Sequence, residues 1–204
     1  PLSNISSSAQ ILLEEKAPVD SQWQREILCQ IDNETTRAQR IVRSLLDYAR
    51  KRDFQLSAIP LKTVMEETLR FFRNTLPAQV RIQLDIPAAL QVKGDKPRLQ
   101  QVFLNILKNA VDALEGEGEV SVVAMQHNDG TTQIVFRDNG PGISQDVLPH
   151  IFEPFYSTKA ANLGSGMGLF IVQEIIEEHG GTIHAQGSPG NGATFIISLP
   201  SAST

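Results

Sequence analysis

Between Ser21 and Arg52, apolar residues return at steps of three and four: Trp23, Ile27, Ile31, Ala38, Ile41, Leu45 and Tyr48. Neither proline nor glycine interrupts the run, and Asp20-Ser21 just before it suits a helix cap, so the pattern predicts one long amphipathic helix. Ahead of Pro18, the stretch Leu2–Glu15 carries Ile5, Ala9, Leu12 and Leu13 on one side, which predicts a shorter helix. A turn at Lys16–Asp20 joins the two. Such a hairpin buries little by itself. Its stripe needs a second copy, giving a dimeric four-helix bundle, or else the remainder of the chain.

From Ile59 onward helical and alternating patterns mix. Leu61–Leu76 reads as a helix, Val80–Ile86 as a half-buried strand, and Lys96–Leu114 as a helix with Leu99, Val102, Phe103, Ile106, Leu107, Ala110 and Leu114 on its core face. Val120–Met125 and Gln133–Arg137 read as strands across an Asn128-Asp129-Gly130 turn. Gly168–His179 reads as a helix stopped by Gly180-Gly181. Thr182–Gln186 and Thr194–Leu199 then form a hairpin through Ser188-Pro189-Gly190. Helices are grouped against hairpins, without the strand–helix alternation of a doubly wound sheet. The expected fold class is α+β: a helical hairpin, residues 1–55, then a two-layer α/β sandwich with a mixed, largely antiparallel sheet, residues 56–204.

Composition adds exclusions. In 204 residues the net charge is −5, which gives no electrostatic case for a nucleic-acid partner. No apolar run approaches the roughly 20 residues that cross a bilayer, and no secretory signal is visible. Cys29 is the single cysteine, so neither an intrachain disulfide nor a cysteine zinc cluster can form. A reducing, cytoplasmic setting is the simplest expectation.

The candidate chemistry lies in two asparagines and two glycine clusters. Asn105 and Asn109 are four apart and share one helix face beside Phe103, Ile106 and Leu107. A magnesium–phosphate group would satisfy them, because an amide oxygen ligates the metal and the NH2 contacts phosphate; two solvent-facing asparagines are the plainer alternative. Asp138 ends a strand and is followed by Asn139-Gly140-Pro141-Gly142-Ile143. A carboxylate there could accept from the amine of adenine, with Gly140 and Gly142 letting the backbone close on the base; an ordinary Asp-Asn-Gly turn is the alternative. Gly164-Ser165-Gly166-Met167-Gly168-Leu169 precedes a helix and could form an anion nest. The Rossmann reading fails, since those glycines follow a long loop late in the chain. Between the clusters, Lys159 to Leu163 reads as a mobile lid, with Lys159 near phosphate and with Phe152 and Phe155 as its aromatic anchors.

Asn105-Ile106-Leu107-Lys108-Asn109-Ala110, DNGPGI at 138–143, FEPFYSTK at 152–159 and GSGMGL at 164–169 resemble, in order and spacing, the four nucleotide-binding boxes of the sensor histidine kinases. That family has the Bergerat ATP-binding fold, and the resemblance covers essentially the whole chain. Ile31–Arg50 resembles the second helix of the family's dimerisation and histidine phosphotransfer module. Pro1-Leu2-Ser3 resembles the residues that follow the phosphoacceptor motif His-Glu-x-x-Asn-Pro-Leu.

The resemblance implies ATP with Mg2+ as ligands, Asn109 as the metal ligand, Asn105 as its partner, and Asp138 as the adenine-binding residue. It places Ile143, Met167 and Leu169 in the pocket and Thr194 near the adenine. It also implies a homodimer through the N-terminal helices, a response-regulator receiver domain as partner, and a parent protein that can be membrane-anchored. Two departures stand out. Asp112 occupies a position where many members have a phosphate-contacting lysine, leaving Lys108 or Lys159 to compensate. The acceptor histidine would precede Pro1, and none of His127, His150, His179 and His184 can replace it. This chain is therefore expected to bind nucleotide without phosphorylating itself. Hydrolases of the same fold, such as gyrase-type ATPases, carry a glutamate base where Asn105 stands. An amide cannot take a proton from water, which favours transfer over hydrolysis. A non-catalytic dimerisation module is the remaining alternative.

Overall fold

The computed structural model describes residues 2–13, 21–49, 54–159 and 166–202. They fall into two compact units, Pro1–Lys51 with Glu153–Met167, and Arg52–Phe152 with Gly168–Thr204.

In the first unit, α1 (Leu2–Leu13) packs on α2 (Ser21–Ala49). Ile5, Ala9 and Leu12 of α1, and Trp23, Ile27, Ile31, Ala38 and Ile41 of α2, are half-buried. The expected turn at Lys16–Asp20, and the side chains of Leu13, Leu45 and Tyr48, lie outside the described residues. No described side chain of either helix reaches full burial, and Leu28 and Val42 are exposed. The hairpin thus keeps apolar area open.

The second unit is a sandwich. Its five-stranded sheet has the order β2-β4-β5-β7-β6, built from β2 (Gln79–Asp85), β4 (Glu117–Gln126), β5 (Thr131–Asp138), β7 (Ala193–Pro200) and β6 (Thr182–Gly187). Only β2 and β4 pair in parallel; the other neighbours are antiparallel. The mixed, largely antiparallel sheet expected from the sequence is what forms. Three helices supply the other layer: α3 (Leu61–Phe72), α4 (Lys96–Ala113) and α5 (Gly168–Glu178).

A small ribbon, β1 (Ser57–Pro60) antiparallel to β3 (Gln91–Gly94), is an addition that periodicity did not reveal. Four-residue strands are too short to display an alternation. The helix expected over Leu61–Leu76 ends at Phe72 and tightens into a 3-10 turn over Arg73–Thr75, before Pro77.

α4 is the element that positions the site. Asp95 caps it, its Oδ1 accepting from the Arg98 N–H at 3.1 Å, and Pro97 sits in the first turn where its missing N–H costs nothing. Leu99, Val102, Phe103, Ile106 and Leu107 are fully buried against the sheet, with the Phe103 and Phe136 rings 6.0 Å apart. Removing the Phe103 ring would cost about 3–5 kcal/mol. That packing fixes the helix's rotation, and so fixes which residues its other face presents. Gly180 (φ +70) ends the α5 segment in the left-handed conformation that favours glycine.

Candidate functional site

Asp138 is the last residue of β5 and lies on the helix-facing side of the sheet, only 5% exposed. Its Oδ1 accepts two backbone N–H bonds, from Gly140 at 3.0 Å and from Ala193 at 3.1 Å. Two donors on one oxygen hold the carboxylate in a single orientation, and among the described residues Oδ2 has no partner. Asn139 locks the start of the turn to β4, its Oδ1 accepting from the Glu119 N–H at 2.8 Å and its own N–H donating to the Glu119 carbonyl.

The turn is also stitched to the tip of the β6–β7 hairpin. The Gly192 N–H donates to the Gly140 carbonyl at 3.1 Å, and the Gly190 N–H to the Pro141 carbonyl at 2.7 Å. Gly192 (φ +72) has the Asp138 carbonyl where a Cβ would stand, and Gly142 (φ +80) has the Ser188 carbonyl there. Both positions require glycine for handedness and for space. Of these, Gly142 belongs to the expected set, whereas Gly192 and Ala193 entered the sequence reading only as the residues before Thr194, with no role of their own. Their only signal is a hairpin turn distant from the motif.

A Cβ at Gly140 would lie 3.5 Å from the Ala113 carbonyl, so the turn abuts the C-terminal end of α4. One turn earlier on α4 is Asn109, half-buried and with no side-chain hydrogen bond among the described residues. One further turn back is Asn105, whose Nδ2 donates to the Gly168 carbonyl at 3.4 Å. That bond sets the first residue of α5, followed by Leu169, beside the asparagine face. Lys108 is exposed on α4, as is Asp112. Asn105, Asn109, Asp138, Gly140 and Gly168 therefore line one continuous region of the second unit. Ile143, half-buried, packs against Gly187 at the end of β6. Among the described residues no three His, Cys, Asp or Glu side chains cluster as a metal cage.

Thr194 pairs with Arg137, and alternation along β7 puts its side chain on the sheet face opposite Asp138. Ala193 is the β7 residue beside the carboxylate. Phe152 is half-buried, but Phe155 is 49% exposed and adopts φ +67, so it is more open than an anchoring ring. Its N–H donates to the Gly166 carbonyl at 2.9 Å, and Gly166 (φ +70) faces the Phe155 backbone where a Cβ would be. Met167 is buried, Lys159 is half-buried, and Gly164 and Ser165 lie outside the described residues.

Comparison with known proteins decides the family. The family model of histidine kinase-, DNA gyrase B- and HSP90-like ATPases matches residues 94–203. The chain belongs to that family. Within this ATPase family its similarity is to sensor kinases. It is 35% identical over 203 residues to the sensor histidine kinase ZraS of Klebsiella oxytoca, covering 98% of this chain and 43% of ZraS. The chain thus spans less than half the length of that relative. A mycobacterial sensor histidine kinase structure, MprB, superposes with TM-score 0.66 at 27% identity, over 74% of this chain and all of that solved chain. The histidine kinase ThkA, solved in complex with the response regulator TrrA, has the same fold, with TM-score 0.72 at 24% identity over 98% of this chain and 58% of ThkA. The sandwich is the ATP-binding fold of histidine kinase catalytic domains, and the matched residues 94–203 contain Asn105, Asn109, Asp138 and the hairpin tip that clamps it.

Proposed function

We propose that this chain is the catalytic region of a two-component sensor histidine kinase, which binds Mg-ATP and transfers the γ-phosphoryl group to a histidine for relay to a response regulator. In this reading residues 1–55 are the dimerisation and phosphotransfer helices and residues 56–204 the ATP-binding domain. The observation that carries it is the Asp138 carboxylate. It is buried, oriented by two amides through Oδ1, and its Oδ2 is available to accept from the exocyclic amine of adenine. The turn glycines keep the surrounding backbone free of Cβ atoms, so a flat base can approach it.

The asparagine face suits the phosphates. Asn109 offers an amide oxygen of the kind Mg2+ accepts, and it has no side-chain hydrogen bond within the described residues that would have to break first. Phosphate and water would complete the coordination, and the ion would neutralise charge on the β- and γ-phosphates. Asn105 orients the start of α5, whose positive dipole end favours an anion. Lys108, exposed on α4, is the cation offered to the phosphates in place of a lysine at Asp112. Asn105 cannot act as a general base toward water, which supports transfer to a positioned imidazole over hydrolysis. Catalysis is then mainly positioning, with a histidine nitrogen held in line with the γ-phosphorus.

The test joins a His-Glu-x-x-Asn sequence ahead of Pro1 and incubates both chains with γ-labelled ATP and Mg2+. The extended chain should acquire acid-labile label and the present chain none. Steady release of phosphate to water without labelling of the extended chain would favour the hydrolase reading instead.

A further inference from the structure

Away from the Asn105–Asp138 region, a groove of about 610 Å3 runs between α3 and the edge strand β2. Its floor is apolar, with Leu69 on the helix side and Val80, Ile82 and Leu84 on the strand side. Arg70 and Arg73 line it from α3, and neither guanidinium has an ion pair or hydrogen bond among the described residues. Glu66 is the one acidic residue in the lining.

The edge itself is open. The Val80 N–H turns away from β4 to bond the Pro77 carbonyl at 3.1 Å. In a parallel ladder a residue's N–H and C=O point to the same side, and the side alternates from one residue to the next. Ile82 and Leu84 therefore aim their N–H and C=O groups at the open edge, and no other strand pairs there among the described residues. The same residues half-bury their side chains in the groove.

An unpaired strand edge beside a helix, with an apolar floor between them, is the geometry by which an extended peptide adds a strand to a sheet. The main-chain bonds give affinity, and every second side chain drops into the groove. Two unpaired guanidiniums against one carboxylate select an acidic visitor, which would pair with Arg70 and Arg73 through charge-assisted bonds. We propose that this groove receives an extended, acidic segment of a partner protein as a sixth strand alongside β2. The opposing physical reading is that Arg81, exposed on the edge strand, discourages any strand from pairing.

A displayed library of random nonapeptides, selected on the whole chain and counter-selected on an Arg70→Glu/Arg73→Glu variant, separates the two. The proposal expects enriched sequences that alternate acidic with β-branched residues and bind the unaltered chain at least tenfold more tightly than the variant. A selected peptide should slow amide exchange at Ile82 and Leu84, and a proline placed at its centre should abolish binding. Circular dichroism of the variant must match the unaltered chain, and an Arg70→Lys/Arg73→Lys variant should retain binding. No enrichment, enriched sequences without acidic residues, or binding that leaves exchange at Ile82 and Leu84 unchanged would each overturn the proposal.

Discussion

Asp138 lets the proposed recognition role be separated from a structural one, because only one of its two oxygens is held by the turn. Oδ1 holds the turn, and in the proposed reading Oδ2 receives the ligand. Asp138→Asn keeps an Oδ1 for the Gly140 and Ala193 amides but sets an NH2 against the adenine amine. ATP affinity should fall by about 1.5–3 kcal/mol, the worth of a charged hydrogen bond, while the thermal midpoint moves little; equal affinity in calorimetry would make the residue a turn former only. His179 tests the fold by pH. It is 4% exposed, its Nε2 accepts from the Asp95 N–H at 2.9 Å, and its Nδ1 donates to the Ile175 carbonyl. Burial holds its pKa below the ordinary 6.5, so the unfolded chain takes up the proton first. The stability contributed by the neutral ring is complete above pH 6.5 and is lost as pH falls through the folded-state value. Urea unfolding between pH 7 and 5 should show a steeper loss for the unaltered chain than for His179→Gln; parallel curves would contradict this. The residues that carry the proposed chemistry were legible because Asn105, Asn109 and Asp138 sit in contiguous motifs. Gly192 and Ala193 were not, since the contact joining them to Asp138 spans more than fifty residues.

Elements follow the same division. Long periodic segments declared themselves: α2 and α4 begin where the apolar stripes begin, because one buried face sets both the period and the burial. β1 and β3 were hidden, being four residues each and held by pairing with one another. The clamp between the 138–142 turn and the β6–β7 hairpin is the element-scale device on which Asp138 depends. Gly192→Ala carries a handedness cost of about 1–2 kcal/mol and a further ~1–3 kcal/mol from collision with the Asp138 carbonyl. Gly190→Ala, with φ +80 but open space around it, carries the first cost alone. Denaturant unfolding of both variants should show the larger loss at Gly192, together with weakened nucleotide binding. Equal losses would mean that the two turns are not stitched as described.

At the scale of the whole molecule, the described side chains of the helical hairpin's stripe are half-buried, and Leu28 and Val42 are exposed. A second copy is the proposed cover, and Ile41→Glu should convert a dimer to a monomer in analytical ultracentrifugation while ATP binding persists, the pocket being more than sixty residues further along the chain. A native chain that sediments as a monomer would remove the bundle. No described helix is long and apolar enough to cross a membrane. The α/β sandwich was readable from the grouping of helices against hairpins; the pairing of β2 with β4 in parallel was not, because strand order is decided by tertiary packing. Everything proposed for the parent enzyme rests on an adenine nucleotide binding across Asp138 and the asparagine face. The measurement that bears on it most directly is a calorimetric titration of the chain with ATP, with and without Mg2+, beside GTP. Guanine presents a carbonyl where adenine presents its amine, so the account predicts saturable ATP binding that weakens without Mg2+ and no comparable binding of GTP. No heat with ATP, or equal affinity for ATP and GTP, would contradict it.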